Sequence, residues 1–363
     1  MGMAQDIDAP VPERSEEYVY GHLLETITGG LYPNKMDVIR EYVQNAYDAI
    51  REVINEAPEE DRESLLETKR IMVHLDSNSI FINDNATGMN YETLNEYRKI
   101  GYSKKVFGDY AGWRGIGKAA GFSVADKLIV SSSIGDGKTH ILTFNSKEML
   151  EKVYGLRDEG KNILLGKLIQ ENSEINTIEM GMEPFTTVEL HHINEESMEI
   201  YDIEEVKTHL ASIAPVPFSE EFEYKNEIES ELRLAIEDYT PIKLCVNGIQ
   251  IYKPYRNTWV DPDSPGDETK VTTIERPNFV DIYDEENEEL IGFAWYCKNS
   301  TSGQITTEIL NEGMGRIKVG GLVFRVDDIK IGNSDLTRST IWYTSTHLSL
   351  YSFGEVHVLD KRV

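Results

Sequence analysis

The segment 112–122, "GWRGIGKAAGF", restricts the fold more than any other part of the sequence. Read as G-x-x-x-x-G-K it nearly spells a phosphate-binding loop, yet Ala119 stands where that loop needs Ser or Thr to bind magnesium. That loop and the glycine turn of a dinucleotide-binding fold both follow a β-strand. The preceding "SKKVFGDYA" is not a buried strand, so both folds lose their structural context. What remains is a glycine-rich backbone that an anion can approach, followed by a predicted helix from near Gly115.

The segment 36–50, "MDVIREYVQNAYDAI", predicts an amphipathic helix with acid and amide groups aligned on its polar face. Glu41, Asn45 and Asp48 share that face. The opposite face is apolar and consists of Met36, Ile39, Val43, Ala46, Ile50 and Val53. A solvated face is the simpler interpretation, and spacing alone leaves it open. The residue types favour a second interpretation, because a carboxylate one turn from an amide oxygen can position water and bind magnesium.

A third segment, "INDNATGMN", places an acid at the end of a predicted strand and a glycine in the turn that follows. A buried Asp84 carboxylate is a pure hydrogen-bond acceptor, so it could receive the exocyclic amine of adenine and would repel the carbonyl of guanine. Gly88 would let the chain pass close to the base. Taken alone, an Asx-turn is the simpler interpretation of this segment.

In this order and spacing, the three segments resemble the nucleotide-binding boxes of the GHKL ATPases, the group of the heat shock protein 90 chaperones, gyrase B subunits, MutL and sensor histidine kinases. The first box is similar to "EYVQNAYDA", and the matching positions are Glu41, Asn45, Ala46, Asp48 and Ala49. The second box, D-x-G-x-G, is similar to "DNATG", followed by Met89 as in the chaperones. The third box is similar to "GWRGIGKAAGFSVADKLIV".

The resemblance covers residues 15–195 and includes two departures from the family pattern. Thr186 in "FTTVELH" is similar to the threonine of the family's last nucleotide-binding strand. Ala86 replaces the first glycine of the D-x-G-x-G box, and Phe185 stands where a glycine usually precedes that threonine. The resemblance therefore does not determine the shape of the turn after Asp84 or the contacts to the base.

The resemblance implies an α+β fold in two parts. Residues 14–205 would form a Bergerat-type α/β sandwich, a mixed sheet covered by helices on one face, that binds ATP. Residues 206–363 resemble more loosely a strand-rich α+β transducer or middle domain. Their own pattern is one of strands joined by tight turns, and it predicts two-residue hairpins at Asn247-Gly248 and Gly320-Gly321.

The resemblance also assigns roles to residues. Glu41 would be the catalytic base and Asn45 the magnesium ligand, while Asp84 would select adenine. The nucleotide-binding set that it implies is Asn45, Asp48, Ala49, Asp84, Gly88, Met89, Gly112, Gly115, Ile116, Gly117, Lys118 and Thr186. A basic residue from the second domain would reach the terminal phosphate, and the candidates are Lys318, Arg325, Lys330, Arg338 or a residue beyond 363.

The charge balance argues against nucleic acid as a direct partner. With 64 acidic and 36 basic residues the net charge is −28, and phosphate-backbone binding rests on clustered Lys and Arg. The two cysteines, Cys245 and Cys297, suggest neither a disulfide framework nor a zinc site. No apolar run approaches the length of a membrane span, so a cytoplasmic protein without membrane contact is expected.

The resemblance implies a slow, magnesium-dependent ATPase of the chaperone-like branch, which converts ATP and ADP states into shape. Its partners would be a second copy of the chain, in an ATP-dependent homodimer, or a protein client. Two other functions stay open: a DNA-processing ATPase resembling MutL or topoisomerase subunits, and a nucleotide-binding interaction module without turnover.

Overall fold

An eight-stranded mixed sheet organises the first part of the computed structural model. The structure describes residues 20–32, 34–102, 115–197, 202–236, 239–260, 271–300, 305, 309–311, 314–317, 319–332 and 351–360. The strands of this sheet are β1 (Arg70–Asp76), β2 (Ser79–Asp84), β3 (Ala125–Ile134), β4 (Thr139–Phe144), β5 (Ser173–Ile178), β6 (Pro184–Ile193), β7 (Lys243–Val246) and β8 (Ile249–Ile251). Their order is β5-β4-β3-β6-β2-β1-β7-β8, and only the β1–β7 pair is parallel.

Helices pack on one face of this sheet. The helices of the described residues are α1 (His22–Gly30), α2 (Met36–Glu56), α3 (Glu59–Thr68), α4 (Tyr91–Tyr97), α5 (Ser146–Asp158), α6 (Leu165–Glu171), α7 (Ile203–Ile213) and α8 (Lys225–Ala235), with a 3₁₀ helix at Gly117–Ser123. Of these, α2, α4, α5, α6, α7 and the 3₁₀ helix contact strands of this sheet. Alternation in β1 explains the two faces, because Ile71, Val73 and Leu75 are buried while the residues between them are exposed. Each fully buried aliphatic side chain stabilises this layer by about 1.5–3 kcal/mol. The predicted sandwich, a mixed sheet covered by helices on one face, is confirmed.

The later part of the chain is rich in strands, as the sequence predicts. Its strands are β9 (Thr258–Val260), β10 (Val271–Thr273), β11 (Asn278–Tyr283), β12 (Leu290–Lys298), β13 (Ile309–Asn311), β14 (Met314–Ile317), β15 (Gly321–Val326), β16 (Ile329–Lys330) and β17 (Ser352–Val358). Five of them form a sheet in the order β11-β12-β17-β15-β16, and β9–β10 and β13–β14 form two-stranded ribbons. An aromatic cluster packs against the five-stranded sheet, in which Trp295 lies 5.0 Å from Tyr255 and 6.1 Å from Phe353 between ring centroids.

One of the two predicted hairpins is confirmed and the other is wrong. Asn247 and Gly248 connect β7 to β8 with φ angles of 47° and 81°, the left-handed pair that a two-residue hairpin requires. At Gly320-Gly321 no hairpin forms, because β14 pairs with β13 and β15 pairs in parallel with β17. The hairpin lies one strand later, where Asp327 and Asp328 adopt φ angles of 49° and 58° between β15 and β16.

The first sheet continues beyond residue 205. The β7–β8 hairpin joins its edge through the parallel pairing of β7 with β1. The division into domains at 14–205 and 206–363 therefore stays a prediction. None of the helices in the described ranges combines the length and apolar character that crossing a membrane requires.

Candidate nucleotide-binding site

Helix α2 carries the predicted catalytic and metal-binding groups. The helix begins at Met36, whose backbone N–H donates to Asn34 Oδ1 at 3.0 Å. Its apolar stripe is buried against β1 and β2, which leaves Glu41 and Asn45 half-buried on the other side. These two residues lie one helical turn apart, so their side chains point in the same direction.

Glu41 meets the glycine-rich segment directly. The Glu41 carboxylate packs against Gly117, and a Cβ atom placed on Gly117 would overlap Glu41 Oε2. Burial raises the pKa of the Glu41 carboxyl, and the neighbouring Arg40 guanidinium opposes that shift. The predicted base and the predicted phosphate-binding backbone are therefore in contact, although they are far apart in the sequence.

The glycine-rich segment is held to α2 by Tyr42. The Tyr42 hydroxyl donates to the carbonyl oxygen of Lys118 at 3.1 Å and accepts from the N–H of Gly121 at 2.8 Å. The helix predicted from near Gly115 is a 3₁₀ helix that begins at Gly117 and ends before β3. Sequence reasoning missed Tyr42, because no pattern separates a tyrosine that bonds a neighbouring segment from one that only fills the core.

The other residues of this segment have different environments. The Lys118 ammonium donates to the carbonyl oxygen of Tyr102 at 2.8 Å, lies 5.5 Å from the centroid of the Tyr97 ring, and has a pKa that burial lowers to about 8. In this structure Lys118 therefore connects the glycine-rich segment to the last residue of α4 and to the loop that follows it. Gly115 accepts a hydrogen bond from the backbone of Gly101, and Ile116 packs against the core. Gly112 lies outside the described residues.

Asp84 lies at the end of β2, on the face that the helices cover. Its register partner on β6 is Thr186, whose partner on β3 is Ser132, so the three side chains lie side by side. Asp84 is only 6% exposed, and its Oδ1 accepts from the N–H of Ala86 at 3.0 Å. Burial raises the pKa of the Asp84 carboxyl to about 7, against the opposing effects of that N–H and of Lys69.

The turn after Asp84 accommodates the departures from the family pattern. Ala86 is buried and keeps the hydrogen bond to Asp84, so an alanine fits where a glycine is usual. Gly88 cannot be replaced so simply, because its φ is 68° and a Cβ atom there would overlap the carbonyl oxygen of Ser133. Met89 then donates its N–H to Ser132 Oγ at 2.7 Å. Ser132, which sequence reasoning missed, joins this turn to β6.

Two residues of the predicted set lie deeper in α2. Asp48 is 1% exposed, and its charge acts on the neighbouring Arg51. Ala49 packs against the hydrophobic core. Helix α2 also contacts β2, the strand that ends at Asp84, so the Glu41 group and the Asp84 group lie along one helix–sheet boundary.

The later part of the chain touches α2 through the turn between β15 and β16. Arg51 forms an ion pair with Asp327 at 2.8 Å, and Arg40 Nη2 donates to the carbonyl oxygen of Lys330 at 3.3 Å. Burial lowers the pKa of the Lys330 ammonium, and Arg325 and Arg40 lower it further. Lys330, at the end of β16, is therefore a partly buried cation beside the helix that carries Glu41.

Two of the four numbered candidates for the cation that contacts the terminal phosphate, Arg325 and Lys330, lie in the described residues. Arg325 is fully enclosed, and it donates to Glu355 and to the carbonyl oxygen of Asp328. Lys330 is the candidate next to α2. Lys318 and Arg338 lie outside the described residues.

Three further acidic and histidine side chains cluster within the second sheet, with a spacing that a metal ion could use: Asp328, Glu355 and His357. Lys253 donates to Asp328 at 2.6 Å and to Glu355 at 3.0 Å. Although burial acts to raise it, the Arg325 and Lys253 cations hold the pKa of Glu355 well below its usual range. Two cations already balance the two carboxylates, so this cluster is a buried ion network that joins the strands.

The structure combines a helix–sheet sandwich with a buried acid at a strand end and a carboxylate that contacts a glycine-rich segment. Residues 34–161 match the family model described as "Histidine kinase-, DNA gyrase B-, and HSP90-like ATPase". This part of the chain is therefore a GHKL-type ATPase domain, and it contains Glu41, Asn45 and Asp84. Thr186 and the second sheet lie beyond the matched residues. A search of curated proteins found no match to the chain.

Proposed function

We propose that this protein is an ATP-dependent conformational switch of the chaperone-like GHKL branch, which binds ATP and hydrolyses it slowly. The observation that carries the proposal is the contact between the Glu41 carboxylate and Gly117. A general base has to lie within hydrogen-bond reach of the water it activates, and that water has to lie in line with the terminal phosphate. The contact of the Glu41 carboxylate with the proposed phosphate-binding backbone supports this role, because a water held between the carboxylate and a phosphate bound there could meet both requirements.

Glu41 would act as the base in this scheme. Water attacks the terminal phosphorus as the bond to the ADP oxygen breaks, and the proton released by the water passes to Glu41. The raised pKa of Glu41 suits this role, because a more basic carboxylate takes a proton more readily near neutral pH. Below that raised pKa the carboxyl is protonated, so turnover is expected to fall as the pH falls.

Asn45 is the proposed magnesium ligand. Its amide oxygen is a hard ligand, and it is half-buried on the Glu41 side of α2. When bound there, magnesium would neutralise charge on the phosphates. Asn45 lies one turn from Glu41, so the two residues can contact the same triphosphate from one helix.

Asp84 and Thr186 would hold the base. Both are hydrogen-bonding groups at the end of neighbouring strands, and Asp84 is almost fully buried. Gly88 and Met89 lie in the turn after Asp84, which is bonded to Ser132 and would close this end of the pocket. An ionised Asp84 accepts the exocyclic amine of adenine and disfavours a carbonyl at that position.

The proposed switch rests on the contacts between α2 and the β15–β16 turn. Arg40 and Arg51 hold this turn from two places on α2. A shift of α2 on nucleotide binding would therefore be transmitted to the five-stranded sheet. The net charge of −28 disfavours DNA, so the proposed partner is a second copy of the chain or a protein client.

The test is phosphate release by the full chain with magnesium and ATP, with and without duplex DNA. We expect slow release that DNA does not stimulate. Stimulation by DNA that weakens with salt would favour a DNA-processing ATPase. A rise in melting temperature with magnesium-ATP but no phosphate release would favour a binding module without turnover.

A further inference from the structure

Ser132 makes three hydrogen bonds at the centre of the base pocket. Ser132 is fully buried on β3, between the turn at Met89 and strand β6. Ser132 Oγ lies 2.7 Å from the Met89 nitrogen, 2.8 Å from the carbonyl oxygen of Phe185 and 3.0 Å from Thr186 Oγ1. Two of these partners, Met89 and Thr186, belong to the proposed nucleotide site, and Phe185 precedes Thr186 on β6.

These contacts determine where each hydroxyl proton lies. A hydroxyl group has one proton and two lone pairs, an amide N–H only donates, and a carbonyl oxygen only accepts. Met89 therefore donates to Ser132, and the Ser132 proton lies on the contact with Phe185, since two oxygens at 2.8 Å without a proton between them would repel each other. The contact between Ser132 and Thr186 then needs the proton of Thr186.

The consequence is a fixed polarity at Thr186. Its hydroxyl turns its proton toward Ser132, so only lone pairs remain for a ligand. On the other side of Thr186, across the β6–β2 pairing, lies the Asp84 carboxyl, which also presents acceptor oxygens when ionised. Two acceptors therefore lie side by side at the end of the pocket.

We propose that Ser132 is a positioning residue for base selection: it makes Thr186 an acceptor, so that the pair of Asp84 and Thr186 fits an exocyclic amine and rejects a carbonyl. This inference rests on the proposed nucleotide-binding function. An amine has two N–H donors and can satisfy both acceptors, whereas a carbonyl oxygen would face two groups that repel it. Without Ser132, Thr186 can rotate and donate to a carbonyl.

The experiment compares ATP with ITP, which carries a carbonyl in place of the amine. Dissociation constants are measured by calorimetry with magnesium, well above the pKa of Asp84, for the wild-type chain and for Ser132→Ala. We expect the ratio of the ITP constant to the ATP constant to fall at least about fivefold in the variant. The variant also leaves the Met89 N–H without its acceptor, which weakens both nucleotides alike and leaves the ratio unaffected.

Ser133→Ala is the matched control. Ser133 is equally buried and is the next residue on the same strand, but its hydroxyl bonds the backbone of Gly181 and Gly135 on the other face. The ratio should be unchanged in this variant. Ser132→Cys serves as a second variant that keeps nearly the same volume, and its weakly bonding thiol should also lower the ratio.

Equal weakening of ATP and ITP in Ser132→Ala and Ser132→Cys would overturn the inference and leave the proposed function intact. An equal fall of the ratio in Ser133→Ala would also overturn it. Failure of the wild-type chain to bind either nucleotide would overturn the proposed function, and this inference with it.

Discussion

Two carboxyl groups of the candidate site, the buried Asp84 and the half-buried Glu41, have pKa values that burial raises. Asp84 is enclosed at a strand end with one N–H donor, and its pKa of about 7 places its charge change near neutral pH. Burial also raises the pKa of the Glu41 carboxyl, and the Arg40 guanidinium opposes that shift. The first is suited to recognising a ligand and the second to accepting a proton. Perturbed carboxyls of this kind concentrate at functional sites.

The affinity for adenine nucleotides should rise with pH through about 7. The base amine binds the ionised form of Asp84 better than the protonated form, so below the free-state pKa binding takes up the ionised form and releases a proton; the affinity therefore strengthens as the pH rises to that pKa and levels off above it. Calorimetry across this pH range measures the slope. Asp84→Asn should flatten the part of the slope that does not come from the nucleotide phosphates. It should also weaken binding by roughly 1.5–3 kcal/mol, or about ten- to a hundredfold. The same pH slope and the same affinity in the wild-type chain and in Asp84→Asn would contradict the assignment of Asp84 to the base pocket.

At the scale of elements, the sequence predicted what depends on local pattern. The amphipathic stripe of α2 and the Asn-Gly hairpin at Asn247 are local features, and both are confirmed. The glycines at Gly320-Gly321 are also a turn signal, but strand pairing with distant β17 decided the outcome there. Parallel pairings such as β1 with β7 join segments that no periodicity connects.

The candidate site shows the same difference between features set by local pattern and features set by long-range contacts. The position of Glu41 on a polar helix face could be predicted from spacing, whereas its contact with Gly117 depends on how α2 packs on the 3₁₀ helix. Ser132 and Tyr42 carried no signal, because their roles come from neighbours on other elements. Motif order predicted the residues of the candidate site, and tertiary contacts revealed the groups that hold them in place.

Gly117→Ala should reduce phosphate release by at least about tenfold while the protein stays folded. The added methyl group would overlap Glu41 Oε2 and displace the carboxylate, and a displacement of about 1 Å can cost on the order of a hundredfold in rate. Gly155→Ala is the matched control, since Gly155 lies in α5 with open space around it, and alanine there should stabilise the helix by about 0.5–1 kcal/mol. Equal turnover in the two variants would show that Gly117 does not position Glu41.

At the scale of the whole molecule, a series of buried and half-buried charged side chains runs from α2 into the second sheet. Arg51 pairs with Asp327, and the adjacent Asp328 belongs to the network of Lys253, Arg325 and Glu355. Removing one member of a buried ion pair is costly, because the charge that remains is buried without its full compensation. This arrangement favours a fixed relation between the ATPase helix and the β15–β16 turn.

The coupling between Arg51 and Asp327 can be measured by a double-mutant cycle. Asp327→Asn suits the positive φ at that position, and we expect it and Arg51→Met each to lower the free energy of unfolding by about 2–4 kcal/mol. The double variant should lose clearly less than the sum, with a coupling energy of about 1–3 kcal/mol in urea denaturation. Losses that simply add would mean that the pair does not connect the two parts of the chain.

The most direct test of the central claim is a comparison of nucleotide binding and phosphate release in Glu41→Ala. If Glu41 is the base and makes little contact with the ground-state nucleotide, the variant should bind magnesium-ATP with nearly wild-type affinity by calorimetry. Its phosphate release should fall by at least about a hundredfold, the scale of a lost general base. Wild-type turnover in Glu41→Ala would contradict the assignment.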